Sequence, residues 1–135
     1  MKHRNGAIII LYDEEKKVLL QHRTDDAPRR PGCWGFFGGG IEGEETPEEA
    51  VVRETKEELN YTLGKPKLMM DVEYKNEEAL RSGTLHIFTE KCRDKSSLKL
   101  QEGQDMRWYS IEDAKKIETL SQLHIDILDF VKDKI

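Results

Sequence analysis

Short apolar runs at 7–12 and 18–21 flank a charged segment at 13–17, a pattern that predicts two β-strands joined by a polar turn. Residues 67–75 and 84–90 alternate in part between apolar and polar side chains and read as two further strands, with a polar loop or short turn of helix at 76–83 between them. A strand is expected around 106–109, followed by a short helix over 111–116 with Ser110 as its cap. Leu120, Leu123, Ile127, Leu128 and Val131 recur at three- and four-residue steps, so the last segment is an amphipathic helix whose stripe enters the core. The charged, serine-bearing stretch 91–101 reads as a mobile connection.

The most informative pattern lies between these elements. A loop rich in glycine and acid, 38–45, runs into Thr46-Pro47-Glu48-Glu49. Thr46 suits an N-cap, Pro47 the first helical position, and Glu49 completes a capping box, so a helix starts at Pro47. Its periodicity puts Glu54, Glu57 and Glu58 on one arc, beside a less polar stripe of Val52, Thr55 and Leu59. Like charges at these spacings cost a bare helix roughly 0.2–0.5 kcal/mol per pair, a cost that a cation among them removes. Carboxylate oxygens are ligands for hard cations such as Mg2+ or Mn2+.

Composition narrows the class. The 135 residues suit one domain over 1–135, and 36% hydrophobic with 36% charged residues describes a folded chain with a heavily charged surface. A net charge of −5 argues against non-specific nucleic-acid binding. The apolar start at 7–11 is too short for a signal-peptide core or a membrane span, so the chain is expected in the cytoplasm without a membrane partner. Cys33 and Cys92 lack any metal or redox spacing and read as reduced thiols. The four histidines stand in no ligand-like relation to one another.

The loop after the second strand is basic and turn-rich, and Arg23 opens it; Arg29 and Arg30 are expected to be solvated. Beyond it, Trp34 and Phe36 stand among glycines, with Phe36 assigned to the core and Trp34 to either the core or a base-stacking surface.

Gly39, Glu45, Arg53-Glu54, Glu57-Glu58 and Tyr61 stand at the spacing of the Nudix box, and the stretch resembles the signature of the Nudix hydrolases, in particular the MutT-like members. Thr55 departs from it where an aliphatic residue is usual, Asn60 where glycine is usual, Phe37 where proline is usual, and Gly40 where many MutT-like members have lysine. The resemblance spans nearly the whole chain and implies an α/β Nudix fold, a mixed β-sheet sandwiched between α-helices. It also implies metal ligation by Glu54, Glu57, Glu58 and the carbonyl of Gly38, phosphate contact by Arg23 and Gly39, and a loop and helix held in register by Glu45 and Arg53. Glu102, in Glu102-Gly103-Gln104, matches a glutamate that approaches the attacking water in MutT-like proteins.

The expected activity is Mg2+-dependent hydrolysis of a nucleoside diphosphate linked to a group X, with Glu54 or Glu102 handling the water and Arg53 and Glu57 in the catalytic set. A nucleoside triphosphate, including an oxidised purine such as 8-oxo-dGTP, is the leading substrate, and oligomeric state is not legible. The alternatives are a catalytically silent nucleotide-binding domain and an enzyme for another substrate, such as a nucleotide sugar or coenzyme A. Patterns typical of coenzyme A, ADP-ribose and dinucleoside polyphosphate enzymes fail at Pro28, Asn76 and Glu78 respectively.

Overall fold

The computed structural model of the chain describes residues 2–77 and 80–135. Its strands are β1 (Lys2–His3), β2 (Gly6–Tyr12), β3 (Val18–His22), β4 (Trp34–Gly35), β5 (Phe37–Gly40), β6 (Lys67–Asn76), β7 (Arg81–Lys91) and β8 (Asp105–Tyr109). Helices α1 (Pro47–Leu59), α2 (Ile111–Ala114) and α3 (Gln122–Val131) pack on them. All the strands join one mixed sheet. β1 and β2 follow one another in parallel along one edge of β7, while β6 runs antiparallel along the other. β2 also pairs with β5, from Gly6↔Gly40 to Ile9↔Phe37, and turns into β3 at Tyr12↔Val18; β3 carries β4 and β8.

Both faces of β2 are covered, because its residues are apolar at consecutive positions rather than at alternate ones. Ala7, Ile9 and Leu11 enter a core with Phe37, Val51 and Leu59 under α1. Ile10 enters a second core with Leu20, Ile87, Ile127 and Leu128 under α3. The sheet is therefore sandwiched between α1 on one side and α2 with α3 on the other, as expected. Among the described residues no helix is long and apolar enough to cross a membrane.

Local signals fixed the ends of α1. Glu49 N–H donates to the Thr46 hydroxyl at 3.1 Å, Thr46 N–H donates to the Glu49 carboxylate at 2.8 Å, and Asn60 ends the helix in the left-handed region at φ 51°.

Elsewhere several expectations give way. The stretch 91–101 is tied down rather than mobile: Leu98 is buried, Lys99 and Gln101 N–H donate to the Leu59 and Glu58 carbonyls, and Lys95 pairs with the buried Asp13 at 2.6 Å. The loop expected at 76–83 is shorter than that, since the β6–β7 ladder runs to Asn76↔Arg81 and takes in residues 76 and 81–83, with Leu80 N–H donating to the Glu77 carbonyl in the turn; Glu78 lies outside the described residues. α2 stops at Ala114, and Leu120 precedes α3 as a buried anchor.

Candidate active site

The carboxylates of α1 do not share one environment. Glu58 lies on the buried stripe at 4% exposure, together with Val51, Thr55 and Leu59. Glu54 has a side chain 16% exposed and that of Glu57 is 54% exposed. Among the described residues, no three His, Cys, Asp or Glu side chains stand gathered as a group that could hold a metal ion. Arg53 is the reason on the Glu57 side: its Nη1 donates to Glu54 at 3.0 Å and reaches Glu57 at 3.4 Å, which draws Glu57 toward the guanidinium.

Arg53 also grips the loop before the helix. Its Nε and Nη2 form a fork on the Glu45 carboxylate at 2.7 and 2.9 Å, and Nη2 donates to the Gly40 carbonyl at 3.0 Å. Glu45 first, and then Glu54, hold the Arg53 guanidinium above its usual range, and Arg53 in turn holds Glu45 below the usual carboxylate range.

β5 brings backbone against the carboxylates. Gly38 N–H donates to Glu58 Oε1 at 3.0 Å. A side chain at Gly39 would stand 2.5 Å from the Glu54 carboxyl carbon, so only glycine lets that carboxylate reach the strand. Gly38, at φ 143°, leaves no room for a Cβ over the Ala7 carbonyl. Burial, then the charge of Glu54, pushes Glu58 up to about 8, against the Gly38 N–H and Arg23, which stabilise its ionised form. Glu54 is raised too, first by burial and with contributions from Glu57 and Glu102, while Arg53 opposes the shift.

Glu102 reaches this region from the other end of the chain. Gln101 N–H holds the Glu58 carbonyl at 2.8 Å, and Gln21 donates to the Glu102 carbonyl at 3.2 Å. Gly103, at φ 93°, turns the loop where a Cβ would press on Gln21 and on the His22 carbonyl. The fields of Glu54 and Glu102 are therefore coupled although 48 residues of sequence separate them (102 − 54).

Gly38, Gly39 and Gly40 also line a cleft of about 680 Å³. Arg23 lines it, with its Nε donating to the Arg29 carbonyl at 2.8 Å. His124, held neutral by burial and by Arg30 at a pKa of about 4, lines it as well. Trp34 stacks on His22 with ring centroids 4.6 Å apart and meets Tyr109 edge-on, so its ring is engaged within the protein. Arg30 is not simply solvated: it donates to the Thr119 carbonyl at 2.6 Å and lies 3.3 Å from His124 Nδ1. Arg29 lines the cleft, as do Arg4 and Arg81, which sequence reasoning missed. Nothing in the local pattern marks those two, because the parallel pairing of β1 with β7 is what brings them together.

Comparison with known proteins accords with this geometry. A diphosphoinositol polyphosphate phosphohydrolase 3-alpha of Mus musculus is 29% identical over 137 aligned positions, covering 97% of this chain and 78% of that one. An RNA pyrophosphohydrolase of Gluconacetobacter diazotrophicus is 35% identical over 63 residues, a match that covers 44% of this chain and 38% of that relative's own length. The crystal structure of a MutT protein from Methanosarcina mazei Go1 superposes with a TM-score of 0.85 at 22% identity, covering 97% of this chain and 94% of that one. The family model described as the NUDIX domain matches residues 2–130, and this chain therefore belongs to the Nudix hydrolases, a family acting on phosphoanhydride bonds.

Proposed function

We propose that residues 1–135 form a single catalytic domain that hydrolyses a pyrophosphate bond in a nucleoside diphosphate linked to X, with a nucleoside triphosphate as the leading substrate. The observation that carries this reading is the contact of Glu54 and Glu58 with the glycine backbone of β5, which also lines a cleft rich in arginine. Carboxylates that can hold a cation thus stand against the same glycines that line the basic cleft, so that ion and phosphate can meet at one strand.

The residues fit a hard divalent cation. Glu58 is buried with its charge met only in part by the Gly38 N–H, and Gly39 leaves space that any side chain would fill beside Glu54. Glu54, Glu57, Glu58 and the Gly38 carbonyl would hold Mg2+ or Mn2+, with Glu57 released from Arg53. The chemistry such an ion supplies when bound is polarisation of phosphoryl oxygens and acidification of water.

The chain's own groups do the rest. Arg23 and the backbone at Gly39 bind and orient the anhydride. Glu54 or Glu102 takes the proton of the attacking water as its oxygen bonds to phosphorus and the bond to the bridging oxygen breaks, and the departing diphosphate leaves with that electron pair. Glu45 and Arg53 keep the loop and helix in register, and Arg53 stands in the catalytic set through its contacts with Glu54 and Glu57. Free thiols at Cys33 and Cys92 suit a cytoplasmic setting.

A panel of nucleoside triphosphates including 8-oxo-dGTP, with a nucleotide sugar and coenzyme A beside them, tests the reaction class at alkaline pH. The expected products of a triphosphate are a nucleoside monophosphate and pyrophosphate, and EDTA abolishes their formation. An inert protein across the panel with Mg2+ and Mn2+ would make the domain a nucleotide-binding module instead.

A further inference from the structure

The cleft is more basic than a net charge of −5 suggests. Ion pairs among the described residues take up Arg53, Arg93 and Arg107, and Arg4, Arg29 and Arg81 take part in none of them. Nη1 of Arg81 is buried without a hydrogen-bond partner, a charged donor that has lost water and gained nothing in return. Partial removal from water, and then the charges of Arg81, Arg4 and Arg23, hold Arg29 below the usual guanidinium range. Guanidinium groups that line one cleft repel one another, and an anion among them relieves that repulsion.

The backbone holds these charges in place. Arg4 N–H donates to the Ser82 carbonyl at 2.7 Å, and the Tyr74 hydroxyl donates to the Arg4 carbonyl at 2.7 Å. Gly83 allows the Arg4 carbonyl to lie directly on it, since a Cβ there would overlap that oxygen. The Arg4 guanidinium then lies over Gly40, where a Cβ would come within 2.8 Å of both Nε and Nη2. The missing side chain at position 40, one of the departures from the MutT-like pattern, is thus the space in which a cation from the N-terminal segment sits.

We propose that Arg4, Arg29 and Arg81 form a second phosphate subsite, which takes a phosphomonoester on the part of the substrate that leads away from the hydrolysed anhydride. The inference rests on the reading above that the site hydrolyses a phosphoanhydride, and it replaces the plain triphosphate with a narrower substrate class: small pyrophosphates whose body carries at least one further phosphate. Arg23, whose charge is felt by Glu58, is left to the anhydride itself. Planar guanidinium forks match the non-bridging oxygens of a phosphomonoester, which carries more charge than a phosphodiester or a neutral sugar. Two sources share this chemistry, a nucleotide phosphorylated on its 3′-hydroxyl and a polyol pyrophosphate bearing several phosphomonoesters.

The test compares kcat/KM for a nucleoside triphosphate, its 3′-phosphorylated counterpart and a diphosphoinositol polyphosphate, in the parent, Arg4→Gln and Arg81→Gln. In the parent at least one of the two phosphorylated compounds exceeds the plain triphosphate by about tenfold or more, and which one does so identifies the source. Each glutamine variant lowers that ratio by about tenfold, while lysine at either position, which keeps the charge and loses the fork, restores part of it. A parent ratio near one, or a ratio that survives both substitutions, overturns the proposal.

Titration with inositol hexakisphosphate in EDTA reads the subsite without turnover. Binding by the parent that weakens about tenfold in each glutamine variant supports it, and a parent that binds neither this compound nor the 3′-phosphorylated nucleotide, or equal binding in all three proteins, overturns it. Should that binding pattern hold while no compound is hydrolysed, the subsite stands and the hydrolase reading falls. Melting temperatures equal to the parent's verify that each variant is folded.

Discussion

Glu58 shows how a single side chain can be assigned by periodicity and still be misjudged. Spacing puts it beside Glu54 and Glu57, yet it faces inward with the apolar stripe, while Glu57 turns out to Arg53. The hydrophobic stripe of α1 includes a carboxylate because β5 offers a backbone N–H there, and a helix read alone contains no trace of β5. Glu102 is the reverse case, an exposed loop residue whose charge reaches Glu54 and Glu58. If Glu102 takes the proton from the attacking water, Glu102→Gln lowers kcat by about a hundredfold with KM little changed, because the group acts in the transition state. Steady-state kinetics on whichever substrate the panel identifies decides this, and a loss below about threefold would leave the role to Glu54.

Helix α1 was readable because its signals are local. The capping box, the proline at the first position and the left-handed Asn60 all act within one turn of the chain end they define. Thr55 is its weak point. Fully buried where the family favours an aliphatic side chain, it leaves its hydroxyl without a hydrogen-bond partner. Valine has nearly the same shape and no hydroxyl to desolvate, so Thr55→Val should stabilise the fold by about 1 kcal/mol, which for a domain of this size raises Tm by several degrees. Thermal melts check it, and an unchanged or lower Tm would mean that the hydroxyl finds a partner in solution. The stretch 91–101 is the opposite lesson about elements. Its polar composition resembles a free connection, but the carbonyls at the C-terminal end of α1 need donors, and Lys99 and Gln101 supply them.

Over the molecule as a whole, the buried carboxylates link stability to pH and to metal. Glu58 sits at about 8 in the fold against an ordinary value of 4.5. A carboxylate raised in this way favours the folded state in full below about 4.5, and that contribution is lost as pH rises to about 8, because the unfolded chain has already given up its proton. In EDTA, Tm should therefore fall between pH 5.5 and 8.5 by more in the parent than in Glu58→Gln. A divalent ion that binds the folded form alone stabilises it by about 2.7 kcal/mol at a hundred times its Kd. Mn2+ should accordingly restore the parent at pH 8.5 and give almost nothing to the double variant Glu57→Gln, Glu58→Gln. Equal Mn2+ responses in parent and double variant would remove these residues from the metal site.

The division between what could be read and what could not follows the range of the forces involved. Apolar period, caps and the spacing of glycine and acid act over a few residues. From them the longer strands and the helices in order, the helix at Pro47, the sandwich and the family itself were visible in 135 letters, whereas the short strands β1, β4 and β5 were not. Contacts between residues distant in the chain were not. Parallel pairing of β1 with β7 sets the Arg4 backbone against Ser82, the loop after β7 meets the end of α1, and β5 reaches under Glu58. Burial then changes the chemistry of those groups, because a charge removed from water depends on whatever partner the fold brings to it, and for Glu58 that partner, the Gly38 N–H, lies 20 residues away in the chain.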